Sequence, residues 1–247
     1  MIAFFHTFLY EPIYNLLVFL TGIMPGGDVG LAVVAVTIIV RVIILPFSLS
    51  AIRTQRAMKK LEPELKVLRE RFKNDRERQA REMFALYKKN KVHPFASFLA
   101  LFIQLPILIG LYWVFSTETL PTVDAETLYS FVSAPETASA LFLGLISITG
   151  SSIVLAIIAA VTQFFQARLA IPAPPPATGE KLSMQEEIGR AMALQARFVL
   201  PLIIGVVAYT SGAIALYFIT SNIVSIIQEL VVGKAGDLAK RNGQRKQ

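Results

Sequence analysis

One cation stands where the chain is most apolar. In TIIVRVIILP, residues 37–46, Arg41 is flanked on both sides by Val and Ile. A guanidinium carries five N–H donors and stays charged at any ordinary pH. Its chemistry in such a run is electrostatic: it attracts a carboxylate or another anion in a medium of low dielectric. Neutral polar side chains recur in the later apolar runs. They are Gln104 in IQLP, Thr162, Gln163 and Gln166 in TQFFQARL, and Tyr217, Thr220, Ser221, Asn222, Ser225 and Gln228 in LYFITSNIVSIIQ. Such groups bind, orient and hold water.

Bond-making chemistry has little to work with. There is no cysteine, which excludes disulfides, thiolate nucleophiles and Cys-ligated metals. The two histidines, His6 and His93, are far apart and in no ligand spacing. No metal or haem is expected. No Gly-rich phosphate loop is present, so no nucleotide site is expected either. No nucleophile–base set or carboxylate pair lies in the apolar runs. The chain reads as a non-enzyme without cofactors.

The elements that hold these residues are membrane helices. Hydrophobic residues make up 54 % of the 247 residues and charged ones 17 %, too apolar for a soluble domain. Several runs approach the length that spans a bilayer core. The expected fold class is an all-α integral membrane protein. Five transmembrane helices would surround a hydrophilic groove facing the cytosol, with a cytosolic helical hairpin between the first two.

The expected segments run as follows. Residues 1–28 form an interfacial helix on the outer face, opened by Pro12 and closed by MPGG. The first span is 29–50, and 51–94 is the basic hairpin. The second span is 95–117; 118–149 is an outer loop with an apolar approach segment. The third span is 150–169, and 170–197 is a Pro-rich connector and helix. The fourth span, 198–209, is short and carries Pro201. The fifth is 212–232, followed by a basic tail, 233–247.

Charge sets the orientation. Residues 51–94 carry 14 Lys plus Arg against 6 acids, while 116–149 carry no base and four acids. Residues 1–28 also lack a base, and the tail is basic. This alternation puts the N-terminus outside and the C-terminus in the cytosol. In the hairpin, Leu61, Leu65, Leu68 and Phe72 make one stripe and Ala80, Met83, Phe84 and Tyr87 another. Pro63 is expected to open the first hairpin helix, and Asn74-Asp75 to make the turn.

Arg41 then lies roughly 13 Å from the inner end of its helix at 1.5 Å per residue. Snorkelling covers about half of that distance. No acid lies in the other spans before Glu229. Water is the remaining partner, and the polar residues above would line the wet groove.

The order of these features resembles the YidC family of membrane protein insertases. The carrying stretches are IIVRVIILPFSLSAIRTQRAMKKLEPELK at 38–66 and ALYKKNKVHPFASFLALFIQLPILIGLYWVF at 85–115. TQFFQARL at 162–169, FVLPLIIGVVAY at 198–209 and ALYFITSNIVSIIQ at 215–228 complete it. The resemblance implies the short form without a large outer domain, in the bacterial plasma membrane. It implies a positively charged groove that receives nascent membrane proteins, with Arg41, Gln104, Thr162 and the residues around Tyr217 at matching positions. Implied partners are nascent membrane proteins and, transiently, the Sec translocon and the ribosome. The basic hairpin and tail would meet anionic lipids, with no specific nucleic-acid site. Two other readings stay open at this point: an anion-binding transporter or channel subunit, and a membrane-anchored assembly scaffold.

Overall fold

The computed structural model describes residues 6–90, 92, 106–114, 123–171 and 184–244. In chain order the helices are α1 Glu11–Ile23, α2 Val29–Ile43, α3 Leu45–Arg71, α4 Arg76–Lys89, α5 over residues 106–114, α6 Ile153–Ala170, α7 Met184–Leu194, α8 Leu200–Tyr209 and α9 Gly212–Gln244. Strands β1 Leu141–Phe142 and β2 Ile146–Ser147 pair antiparallel. The chain forms two compact units, Met1–Ile43 with Leu105–Glu229, and Ile44–Gln104 with Leu230–Gln247.

In the first unit, α1 starts with Pro12 in its first turn, where a missing N–H costs nothing. It buries Ile13, Tyr14, Leu17 and Val18. It stops at Met24, and a 3₁₀ turn over Pro25–Gly27 follows. Gly26 and Gly27 have φ of 66° and 65°, and a Cβ on Gly27 would run into the carbonyl of Thr137. The helix is thus Glu11–Ile23, shorter than the expected 1–28, with MPGG at its C-terminal end.

Asp28 opens α2. Its carboxylate accepts the Leu31 N–H at 3.0 Å and the remote Leu143 N–H at 2.7 Å. One acid, 5 % exposed, thus caps a helix and holds a distant turn. Helix α2 buries Val29, Ala32, Val33, Val36 and Thr37, the spacing of one helical face. Hydrophobicity alone carries this helix to Ser50. It ends instead at Ile43, because Pro46 cannot sit against the carbonyl of Val42. Ile44 leaves the helical region at φ −86° and ψ 2°, and α3 starts afresh.

The segment 123–148 is tied to α1 and α2 by buried polar groups. Asn15, 2 % exposed, donates to the carbonyls of Glu11 at 2.9 Å and Thr127 at 3.0 Å. Its own carbonyl accepts the Tyr129 N–H at 2.7 Å. The Tyr14 hydroxyl accepts the Asp124 N–H at 2.7 Å. The apolar approach segment folds as the β1–β2 ribbon, whose turn needs the positive φ of Gly144.

Helices α6 and α8 pack closely because Gly205 lies against Ala160. A Cβ there would be 3.1 Å from that of Ala160, and small residues let helix backbones approach in this way. The short fourth span also needs correction. A π-helical turn, Gln195–Val199, joins α7 to α8, so the apolar helix runs 20 residues from Arg190 to Tyr209. Pro201 has no N–H for the carbonyl of Arg197; the helix absorbs that loss by widening rather than breaking.

Helix α9 begins under the ribbon's exit. A Cβ on Gly212 would be 2.7 Å from the Ile148 Cα. The Gly212 and Ala213 amides donate to the carbonyls of Gly150 and Ile148, both at 3.0 Å. The helix runs 33 residues, so the expected tail from 233 is helical as far as Gln244.

Among the described residues, three helices are long and apolar enough to cross a membrane: Ile153–Ala170, Arg190–Tyr209 and Gly212–Gly233. Helices α2 and α3 together make a fourth candidate. Of the expected second span, 95–105 and 115–117 lie outside the described residues. Ile157 on α6, Val206 on α8 and Ile227 on α9 are exposed, as lipid-facing side chains are.

In the second unit, α3 and α4 form a hairpin around Leu61, Leu65 and Val92, with Met58, Met83, Leu86 and Tyr87 against them. Asp75 caps α4 through the Arg78 N–H at 2.9 Å. Two details differ from the sequence reading. Phe84 is 58 % exposed and Leu86 takes the inward place. Pro63 lies inside α3 rather than at its start; Lys59 and Pro63 are exposed, so water can take up the carbonyl that Pro63 leaves free.

Candidate functional site

Helix α9 gathers the polar groups of the first unit. Its residues Thr220, Ser221 and Asn222 are buried, as are Tyr217 and Gln228. Successive helical residues point about 100° apart, so neighbours on α9 meet different helices. Ser221 meets α2: its hydroxyl accepts a hydrogen bond from Nη2 of Arg41. Asn222 meets α6: its side-chain amide donates to the Thr162 hydroxyl at 3.2 Å and to the Ala159 carbonyl at 3.5 Å. Thr162 in turn donates to the Ala159 carbonyl at 3.0 Å.

Arg41 has an unequal set of partners. Among the described residues no carboxylate lies within ion-pair distance, and Ser221 is its one hydrogen-bond partner. Arg41 itself is half-buried. Its Nε and Nη1 are unpartnered among the described residues, and neither is fully buried. A guanidinium needs acceptors for those donors. Tyr217, one turn before Ser221, lies within electrostatic range of it.

The other expected residues are placed as follows. Gln163, 9 % exposed, donates to the Gln166 side chain at 3.2 Å. These two form a pair within α6. Ser225 is half-buried one turn beyond Ser221 on α9. Gln104 lies outside the described residues. Thr37, 1 % exposed, was not among the expected site residues. It sits one turn before Arg41 on α2, and its hydroxyl donates to the Val33 carbonyl at 2.7 Å. Ser221 stood only as one of several polar residues on its helix, because sequence alone does not say which of them turns toward α2.

Beside Tyr217 lies an apolar pocket of about 250 Å³. Leu108, Leu111, Ile204, Val207 and Phe218 line it, from α5, α8 and α9. The polar groups and the apolar pocket thus share one helix and meet at one tyrosine.

Apolar helices with exposed apolar faces, joined by a polar seam that holds a cation, define an all-α integral membrane protein. Comparison with known sequences gives the family: the profile described as 60Kd inner membrane protein matches residues 19–239, and the chain belongs to that family. Among relatives, the membrane protein insertase YidC of Cupriavidus taiwanensis is 31 % identical over 95 % of this chain and 38 % of its own length. The protein of the same name from Tolumonas auensis is 31 % identical over 91 % of this chain and 36 % of its own. That of Haemophilus influenzae is 40 % identical over 44 % of this chain and 20 % of its own. The chain spans less than two fifths of the length of these relatives.

Proposed function

We propose that this chain is a membrane protein insertase and chaperone of the bacterial plasma membrane, with its N-terminus outside and its C-terminus in the cytosol. It receives nascent membrane proteins in a hydrated, positively charged groove and releases their apolar helices into lipid. The groove residues are Arg41, Gln104, Thr162, Gln163, Gln166, Tyr217, Asn222 and Ser225, with Ser221 added. The observation that carries this reading is the state of Arg41: held by one neutral hydroxyl, with its other donors free to take an anion. The names of the relatives point the same way.

The physics follows. A carboxylate in an outer segment costs about 2.5–3.5 kcal/mol at mid-bilayer on insertion scales. A wet groove removes part of that barrier. At an effective dielectric near 20, an acid about 4 Å from Arg41 gains roughly 4 kcal/mol before desolvation. Desolvation of both ions offsets much of this, so the segment is held transiently. Partition of the substrate helix into lipid supplies the net drive, at about 0.8 kcal/mol per buried CH₂. No step makes or breaks a covalent bond. The basic hairpin α3–α4 and the end of α9 meet anionic lipids and, transiently, the ribosome or the Sec translocon.

A charge exchange tests the reading. In vesicles, Arg41→Glu should impair insertion of a substrate with an acidic outer segment. It should restore insertion when that segment is made basic. If Arg41→Glu inserts both substrates as well as the unaltered chain does, the electrostatic role is wrong.

A further inference from the structure

We infer that the tip of the β1–β2 ribbon, Leu143 to Leu145, is a lipid anchor seated in the bilayer boundary beside the start of α6. Three leucines project here. Leu141 is 46 % exposed, Leu143 58 % and Leu145 82 %. Leu143 has a φ of 52°; among the described residues it is the one non-glycine with positive φ.

That conformation suits Gly or Asn. A leucine placed there has neither their steric ease nor a local side-chain hydrogen bond, and in water its apolar surface would be exposed as well. Hydrocarbon around the tip removes the second penalty and gives the residue a reason to be there.

The tip is held firmly. Its Leu143 N–H is bound by the carboxylate of Asp28, the cap of α2, at 2.7 Å. Phe142 lies over Gly30 in the first turn of α2, where a Cβ would be 2.7 Å from that of Phe142. From the tip the chain passes through buried Ile148 to Ser152, which caps α6. The first turn of α6 then exposes Ile153 at 66 % and Val154 at 56 %.

The ribbon is thus continuous in chain with the lipid-facing side of a spanning helix. Residues 137–149 carry no charge. A neutral apolar tip at the edge of the span fits the hydrocarbon boundary and not a charged partner. The inference rests on α6 spanning the bilayer, not on the insertase reading.

The chain has no cysteine, so single nitroxide labels can be placed cleanly. Leu145→Cys, Leu141→Cys and, as an aqueous reference, Glu136→Cys are labelled in the full chain. The labelled chains are reconstituted in phosphatidylethanolamine–phosphatidylglycerol vesicles. Collision with dissolved oxygen and with a water-soluble nickel chelate is read by paramagnetic resonance. The labels at 141 and 145 should meet nickel at least about fivefold less often than that at 136, and oxygen more often. Nickel access equal to that at 136 would overturn the anchor. Protection from both reagents would overturn it too, because that marks a cover of protein, such as a second copy of the chain.

Discussion

Arg41 on α2 hydrogen-bonds Ser221 on α9, residues 180 positions apart in the chain. A neutral hydroxyl orients the guanidinium without cancelling its charge. A carboxylate in the same place would neutralise the cation and hold it against substrate. The next residue, Asn222, ties α9 to α6. One helix therefore both aims the cation and fixes the wall beside it.

Because the charge acts at range, Arg41→Lys should keep most insertion of acidic substrates, and Arg41→Ala should lose tenfold or more. Ser221→Ala should fall between them. A hydrogen bond to a charged group contributes about 1.5–3 kcal/mol, but the freed guanidinium can turn to water. Insertion rates in vesicles with a single substrate rank the variants.

The Asn222–Thr162 contact is structural in its first effect. Asn222→Ala should lower stability by about 0.6 kcal/mol, the mean for such bonds between membrane helices. Thr162→Ala combined with it should cost less than the sum of the two single changes, because the bond the two side chains share is lost only once. Unfolding of the purified protein in mixed micelles measures both.

Gly205 permits the approach of α8 to α6. Gly205→Ala brings a Cβ to 3.1 Å from the Ala160 Cβ, and should be tolerated with a small shift of the helices. Gly205→Leu should cost about 1–3 kcal/mol through overpacking. The midpoint of thermal unfolding should follow that order.

Asp124 gives an acid limb to stability. Hydrogen bonds from the Thr127 hydroxyl and the Glu126 amide hold its carboxyl below the usual range. The group is more acidic folded than unfolded, so its contribution is complete above about pH 4, its unfolded value. It is lost as pH falls through the folded value. Asp124→Asn should flatten the change in stability below about pH 4 and leave neutral pH behaviour alone. Denaturation at a series of pH values reads the difference.

Much of this was legible in the sequence, for particular reasons. Arg41 announces itself because a cation inside an apolar run has no ordinary place. The stop of α1 and the turn of the hairpin follow from Pro-Gly-Gly and Asn-Asp, whose backbone preferences are local. Ser221 was not distinguishable from Thr220 or Ser225, because the rotation of α9 against its neighbours is a tertiary fact. Proline misled in both directions. Pro63 does not break α3, since its exposed turn can be hydrated, while Pro46 ends α2 short of Ser50. At Pro201 the π-turn keeps the helix whole, which no pattern of hydrophobicity reveals. The stretch LFLGLIS reads as a plain apolar run, and only the ribbon shows its leucines outside.

In the proposed function a nascent chain lies against the seam of α2, α6 and α9. A photo-crosslinker at Ser225, half-buried one turn from Ser221, tests it directly on ribosome-stalled membrane proteins in native vesicles. Adducts are expected from position 225 when the substrate's outer segment is at mid-membrane. Far fewer are expected from Leu202, which is exposed on α8. Adducts from Leu202 with none from Ser225, at every length of stalled chain, would contradict it.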